Sequence, residues 1–60
     1  MFIQLTSTDR SKDIFVRVND IEAILEMENG RAKVTTRSGN EWNVQESATK
    51  IHQMCIGGDL

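Results

Sequence analysis

Apolar and polar residues alternate with a period of two along most of this chain, and the period changes once, near its C-terminal end. Met1-Phe2-Ile3-Gln4-Leu5-Thr6 is short, apolar and rich in strand formers, which predicts a first strand. Ser7 to Asp13 is polar throughout and reads as a loop. Ile14-Phe15-Val16-Arg17-Val18 is β-branched and reads as a second strand, and Asn19-Asp20 as a turn. From Ile21 to Glu28 the alternation puts Ile21, Ala23, Leu25 and Met27 on one face and Glu22, Ile24, Glu26 and Glu28 on the other.

Asn29-Gly30 is the sharpest local signal. The pair suits a two-residue type I′ hairpin loop, in which both central residues have positive φ. That turn predicts a register with Glu28 opposite Arg31, Glu26 opposite Lys33, Leu25 opposite Val34 and Glu22 opposite Arg37. Three opposite-charge pairs then line the outer face, while the inner face holds apolar residues and Thr36. Ser38-Gly39-Asn40 marks a second turn. A two-residue loop there would put Trp42 on the charged face. A three-residue loop puts Trp42 opposite Thr36, Val44 opposite Val34 and Glu41 opposite Arg37, so the pattern predicts an odd loop, or an even one with a bulge, before a strand from Glu41 to Gln45.

Ser47 is placed as a helix N-cap. From Ala48 to Ile56 the period becomes helical, with Ala48, Ile51, Met54 and Cys55 on one face and Gly57-Gly58 as the stop. Such a short helix needs packing to form. It is expected on the inner sheet face, over Leu25, Val34, Trp42 and Val44. The fold class read from this order is α+β: a curled antiparallel meander of four to five strands with one C-terminal helix packed on it, forming a single domain over residues 1–60.

Three apolar residues do not fit the inner face. Phe2 has the opposite parity to Ile3 and Leu5, Phe15 the opposite parity to Ile14 and Val16, and Ile24 sits among charges. The sheet curls and the two phenylalanines join the core, or Phe2, Phe15 and Ile24 form an outward contact patch, or the three are scattered exposed residues with no role.

Size sharpens the second reading. With 60 residues the core is small, and small domains are usually stapled by disulfides, a metal or an oligomeric interface. A single cysteine, Cys55, allows no disulfide within the chain, and one His with one Cys falls short of the four ligands of a structural zinc site. Self-association, as a dimer or higher homo-oligomer, is the staple that remains. A net charge of −2 argues against binding that rests on neutralising phosphates, so nucleic acid is not an expected partner. No run approaches the ~20 apolar residues of a membrane span, and no long apolar run or cleavage site follows the first residues. With the lone thiol, this predicts a cytoplasmic protein without membrane contact.

Residues capable of chemistry are few. His52 and Cys55 are neighbours on one helix face; two such pairs across a dimer would suffice for zinc, but a helix-terminal His and a core Cys account for them without a metal. Glu22, Glu26 and Glu28 are matched with basic partners in the expected register, which leaves a solvated charged face rather than an acid–base site. No catalytic residue, metal or cofactor is therefore expected. A binding alternative uses Arg17, Arg31, Lys33 and Arg37 to hold a small anionic, nucleotide-like ligand between subunits, with Trp42 as a stacking face.

Ile3-Gln4-Leu5-Thr6, Val16-Arg17-Val18-Asn19, Ile21-Glu22-Ala23-Ile24, Val34-Thr35-Thr36-Arg37-Ser38-Gly39 and Val44-Gln45-Glu46-Ser47 together span most of the chain. In that order they resemble the short FlbD/SwrD-like proteins of bacterial flagella and swarming. Small β–β–β–α sequences carried by prophages look similar, as does the core of LytTR-type DNA-binding domains. The flagellar resemblance implies a regulatory or adaptor role and transfers no active site. The LytTR resemblance would require a basic reading loop, whereas Ser7–Asp13 sets only Arg10 and Lys12 against Asp9 and Asp13.

Overall fold

Among the described residues, 1–9 and 12–57, the computed structural model has five antiparallel strands followed by one helix. Strands β1 (Phe2–Thr6) and β2 (Asp13–Arg17) form one sheet; β3 (Ile21–Glu26), β4 (Ala32–Thr36) and β5 (Glu41–Val44) form a second. Helix α1 runs over Ala48–Gly57. The α+β class and the element order agree with the hydrophobic pattern, but the meander is divided between two sheets. An isolated bridge between Ser7 and Val44 joins them at one corner. There Thr8 N–H donates to the Asn43 carbonyl at 3.0 Å and Gln45 N–H to the Thr6 carbonyl at 2.8 Å. Thr6 N–H donates to Glu46 Oε1 at 2.9 Å, so a side chain satisfies a backbone donor where the ladder ends.

The core consists of Ile3, Leu5, Val16, Ala32, Val34, Val44 and Ile51, with Ile14, Val18, Ile21, Ile24, Trp42, Ala48, Met54 and Cys55 packed around it. Both sheets and the helix thus contribute to a single cluster. In β1, β2, β4 and β5 the inward residues are those that alternation selects. The helix starts as expected: Ser47 Oγ accepts the Lys50 N–H at 3.1 Å, and Ile51 N–H bonds the Ser47 carbonyl at 3.0 Å. Gly57 lies within the helix, and Gly58 lies outside the described residues.

Strand β3 departs from the expected register. Asn29 and Gly30 do have positive φ, 64° and 74°, and Arg31 N–H reaches the Glu28 carbonyl at 3.4 Å, so the turn itself forms. The next rung, however, runs from Met27 N–H to the Arg31 carbonyl at 2.8 Å. Met27 and Glu28 together oppose Arg31, which is a bulge, and every later pair is displaced by one residue: Leu25 faces Lys33, Ile24 faces Val34 and Glu26 faces Ala32. A second shift between Ile21 and Ala23 brings Ile21 opposite Thr36. The two irregularities let Ile21 and Ile24 both reach the core, although regular alternation would place them on opposite faces.

The expected outer ladder of Glu28–Arg31, Glu26–Lys33 and Glu22–Arg37 is consequently not formed, and Lys33 Nζ pairs with Glu41 Oε1 at 2.9 Å. The physical reason is magnitude. Exposed ion pairs are worth about 0–1 kcal/mol each, less than the burial of a branched aliphatic side chain at about 1.5–3 kcal/mol. Charge matching therefore does not set the register once packing against the core and helix prefers another.

The second turn has the expected odd parity but closes earlier. Gly39, at φ 95°, donates its N–H to the Thr36 carbonyl at 3.0 Å, and Thr36 N–H donates to the Asn40 carbonyl at 3.0 Å. The loop is Arg37-Ser38-Gly39, so Trp42 faces Val34, Val44 faces Ala32 and Glu41 faces Thr35. The buried Thr36 hydroxyl explains the early closure. Thr36 Oγ1 accepts the Asn40 N–H at 3.0 Å and lies 3.0 Å from Ser38 Oγ, which donates to Asp20 Oδ2 at 2.8 Å. Closing the loop later would take this side chain from its partners.

Candidate interaction surface

The outward face of the first sheet carries two large aromatic side chains. Phe2 pairs with Arg17 and Gln4 with Phe15, so Phe2 and Phe15 are diagonal neighbours on one face. They are 58% and 63% exposed. The reading in which the sheet curls them into the core is thus incorrect; their opposite parity carries them outward, as strand geometry requires. The Arg17 guanidinium lies 5.4 Å from the Phe2 ring centroid. A cation over an exposed ring contributes about 0.5–1 kcal/mol and holds the ring against the sheet.

Ile24 does not belong to this patch. The one-residue displacement of β3 turns it towards Val34 and the core. Its former place outside is taken by Leu25 and Met27, 57% and 42% exposed, which alternation had assigned to the interior. Leu25 lies in β3 and Met27 directly after it, whereas the phenylalanines lie in the other sheet. The signal that could have found them was Ile24 itself, a branched aliphatic among glutamates, where a one-residue slip exchanges the two faces.

The residues of the anionic-ligand reading are not drawn together within the chain. Arg17 sits over Phe2 on the first sheet, Lys33 is engaged by Glu41, and Arg37 lies in the turn, its backbone N–H bonded to the Asp20 carbonyl at 2.8 Å. Trp42 is half-buried against the core. Arg31 lines an open groove of about 340 Å³ with Thr8, Met27, Asn29 and Asn43 on its walls, and Arg17 lines a separate depression of about 380 Å³ with Asn19 and Asp20.

His52 is exposed and Cys55 half-buried on α1. Burial pushes the Cys55 thiol above its ordinary value, which favours the neutral thiol over the thiolate that nucleophilic or metal chemistry uses. No group of three or more His, Cys, Asp or Glu among the described residues is placed to hold a metal ion. Among the described residues, no helix is long and apolar enough to cross a membrane. Arg10, half of the basic content of the Ser7–Asp13 loop, lies outside the described residues. Compared with known proteins, the chain matches no family model, no curated protein and no solved structure.

Proposed function

We propose that this chain is a small, non-catalytic binding and regulatory protein of the cytoplasm, acting through self-association and through contact with another protein. The observation that carries this reading is the pair of exposed rings, Phe2 and Phe15, on one side of a two-stranded sheet. A soluble monomer gains little by exposing two large rings side by side, whereas aromatic and Arg side chains are the groups enriched at interfaces. The small core points the same way, because association supplies burial that sixty residues lack. The similarity of sequence order to FlbD/SwrD-like flagellar proteins agrees with an adaptor role.

Size-exclusion chromatography with light scattering over a micromolar concentration series tests the reading. The wild-type mass should rise above 6.8 kDa with concentration. Phe15→Ser should hold it at the monomer value with Trp42 emission unchanged. A wild-type monomer throughout, unaffected by Phe15→Ser, would overturn it.

A further inference from the structure

Strand β2 has a partner on one side only among the described residues. The rungs that flank its ladder fix which groups point outward. Val18 N–H donates to the Met1 carbonyl at 2.9 Å, and Ser7 N–H to the Lys12 carbonyl at 2.8 Å. Because hydrogen-bonded pairs alternate along an antiparallel ladder, Ile14 and Val16 direct their backbone groups to β1, and Asp13, Phe15 and Arg17 direct theirs to the free edge. All three side chains are exposed.

The chemistry of that edge is self-complementary. Asp13-Ile14-Phe15-Val16-Arg17 reads acid, aliphatic, aromatic, aliphatic, base. Turned about a two-fold axis through Phe15, it sets ring against ring, Asp13 against Arg17 of the copy, and Ile14 against Val16 of the copy. The outward N–H and C=O groups fall opposite one another as hydrogen-bonded pairs. An isologous contact demands this kind of match.

We propose that β2 adds, antiparallel and centred on Phe15, to β2 of a second copy of this chain, making a continuous four-stranded sheet β1–β2–β2–β1. This rests on the self-association reading and specifies its surface. Backbone pairing supplies a register-defined contact, the two Phe15 rings meet at its centre, and the paired Asp13 and Arg17 select that register over its neighbours. Strands β1 and β5 meet each other at the Ser7–Val44 corner, and the remaining outer strand, β3, offers no such match. Centred on Ile24, two copies of β3 would oppose Glu22 to Glu26, like charge to like charge.

Charge reversal tests the proposal by sedimentation of the intact chain. Asp13→Arg and Arg17→Asp each replace two attractive pairs in the dimer by two repulsive ones and should weaken dimerisation at least about tenfold. The double variant restores both pairs and should regain wild-type association. Mixing the two single variants should yield a heterodimer. Far-UV circular dichroism establishes that each variant folds. Amide exchange supplies a second readout on the unmodified chain: the Phe15 and Arg17 N–H groups should become protected as concentration rises. If the wild type dimerises but neither single reversal weakens it, or if those amides stay unprotected in the dimer, the β2 pairing is wrong while self-association stands. If the wild type remains a monomer at every concentration, both are overturned.

Discussion

Among the described residues, strands β2 and β3 are the outer strands that lie away from the Ser7–Val44 corner where β1 and β5 meet, and each carries an apolar residue at its centre with a charge two positions to either side. In β2 the flanking charges differ in sign, Asp13 and Arg17 about Phe15; in β3 they agree, Glu22 and Glu26 about Ile24. A two-fold axis converts the first arrangement into attraction and the second into repulsion. Strand β3 is also bent by a register shift near Glu22 and is packed by α1, while β2 is a regular ladder with an exposed ring at its middle. Edge protection thus depends on the order of charges as well as on their number, and one small chain holds an open and a closed version of the same device.

The strongest way to break this comparison is to separate the two faces of the first sheet. Leu5 is fully buried and Phe15 is largely exposed. Leu5→Ala should cost about 2–5 kcal/mol in urea denaturation, enough to unfold most of a domain this small. Phe15→Ser in dilute solution should change stability by less than about 0.5 kcal/mol, its effect appearing only in association. Comparable losses from both would mean that Phe15 is a core residue of the monomer.

A finer cut concerns the register of β3. Ile24→Ala should cost about 1–2 kcal/mol, since the side chain is half-buried against Val34, and Leu25→Ala less than about 0.5 kcal/mol. The opposite order in chemical denaturation would restore the register that the Asn29-Gly30 turn favours taken alone. The smallest expected effect comes from giving β3 the sign pattern of β2. Glu26→Arg leaves folding stability nearly unchanged and should raise the mass seen by light scattering above that of the dimer at high concentration. No rise would show that the bulges and helix close this edge without help from charge.

Much of the architecture was legible in the sequence because it rests on period. Buried residues in four of the five strands and the helical face around Ile51 follow from alternation and helical spacing, and Ser47 caps α1 as its residue type predicts. What was not legible depends on bulges. An extra residue at Met27-Glu28 leaves the positive-φ turn intact yet exchanges the two faces of β3 from Ala23 to Glu26, and a local pattern of charges cannot detect it. The same reversal removed Ile24 from the contact surface and left Phe2 and Phe15, whose parity never depended on that turn. Arg17 was read as a ligand-binding cation, and its place beside Phe2 emerges only from the pairing of β1 with β2.

The corner where Ser7 meets Val44 carries a kinetic consequence. Each sheet is built from neighbours in the chain, so its hairpins can close over short loops. The Thr6–Glu46 bond closes a separation of 40 residues, most of the molecule. Loop-closure entropy makes such a contact late as well as costly. We expect the folding time of this domain to be governed by the docking of one preformed hairpin onto another. Only Val18–Asp20 lies between the two sheets, so each sheet that forms first shortens the loop this corner must close.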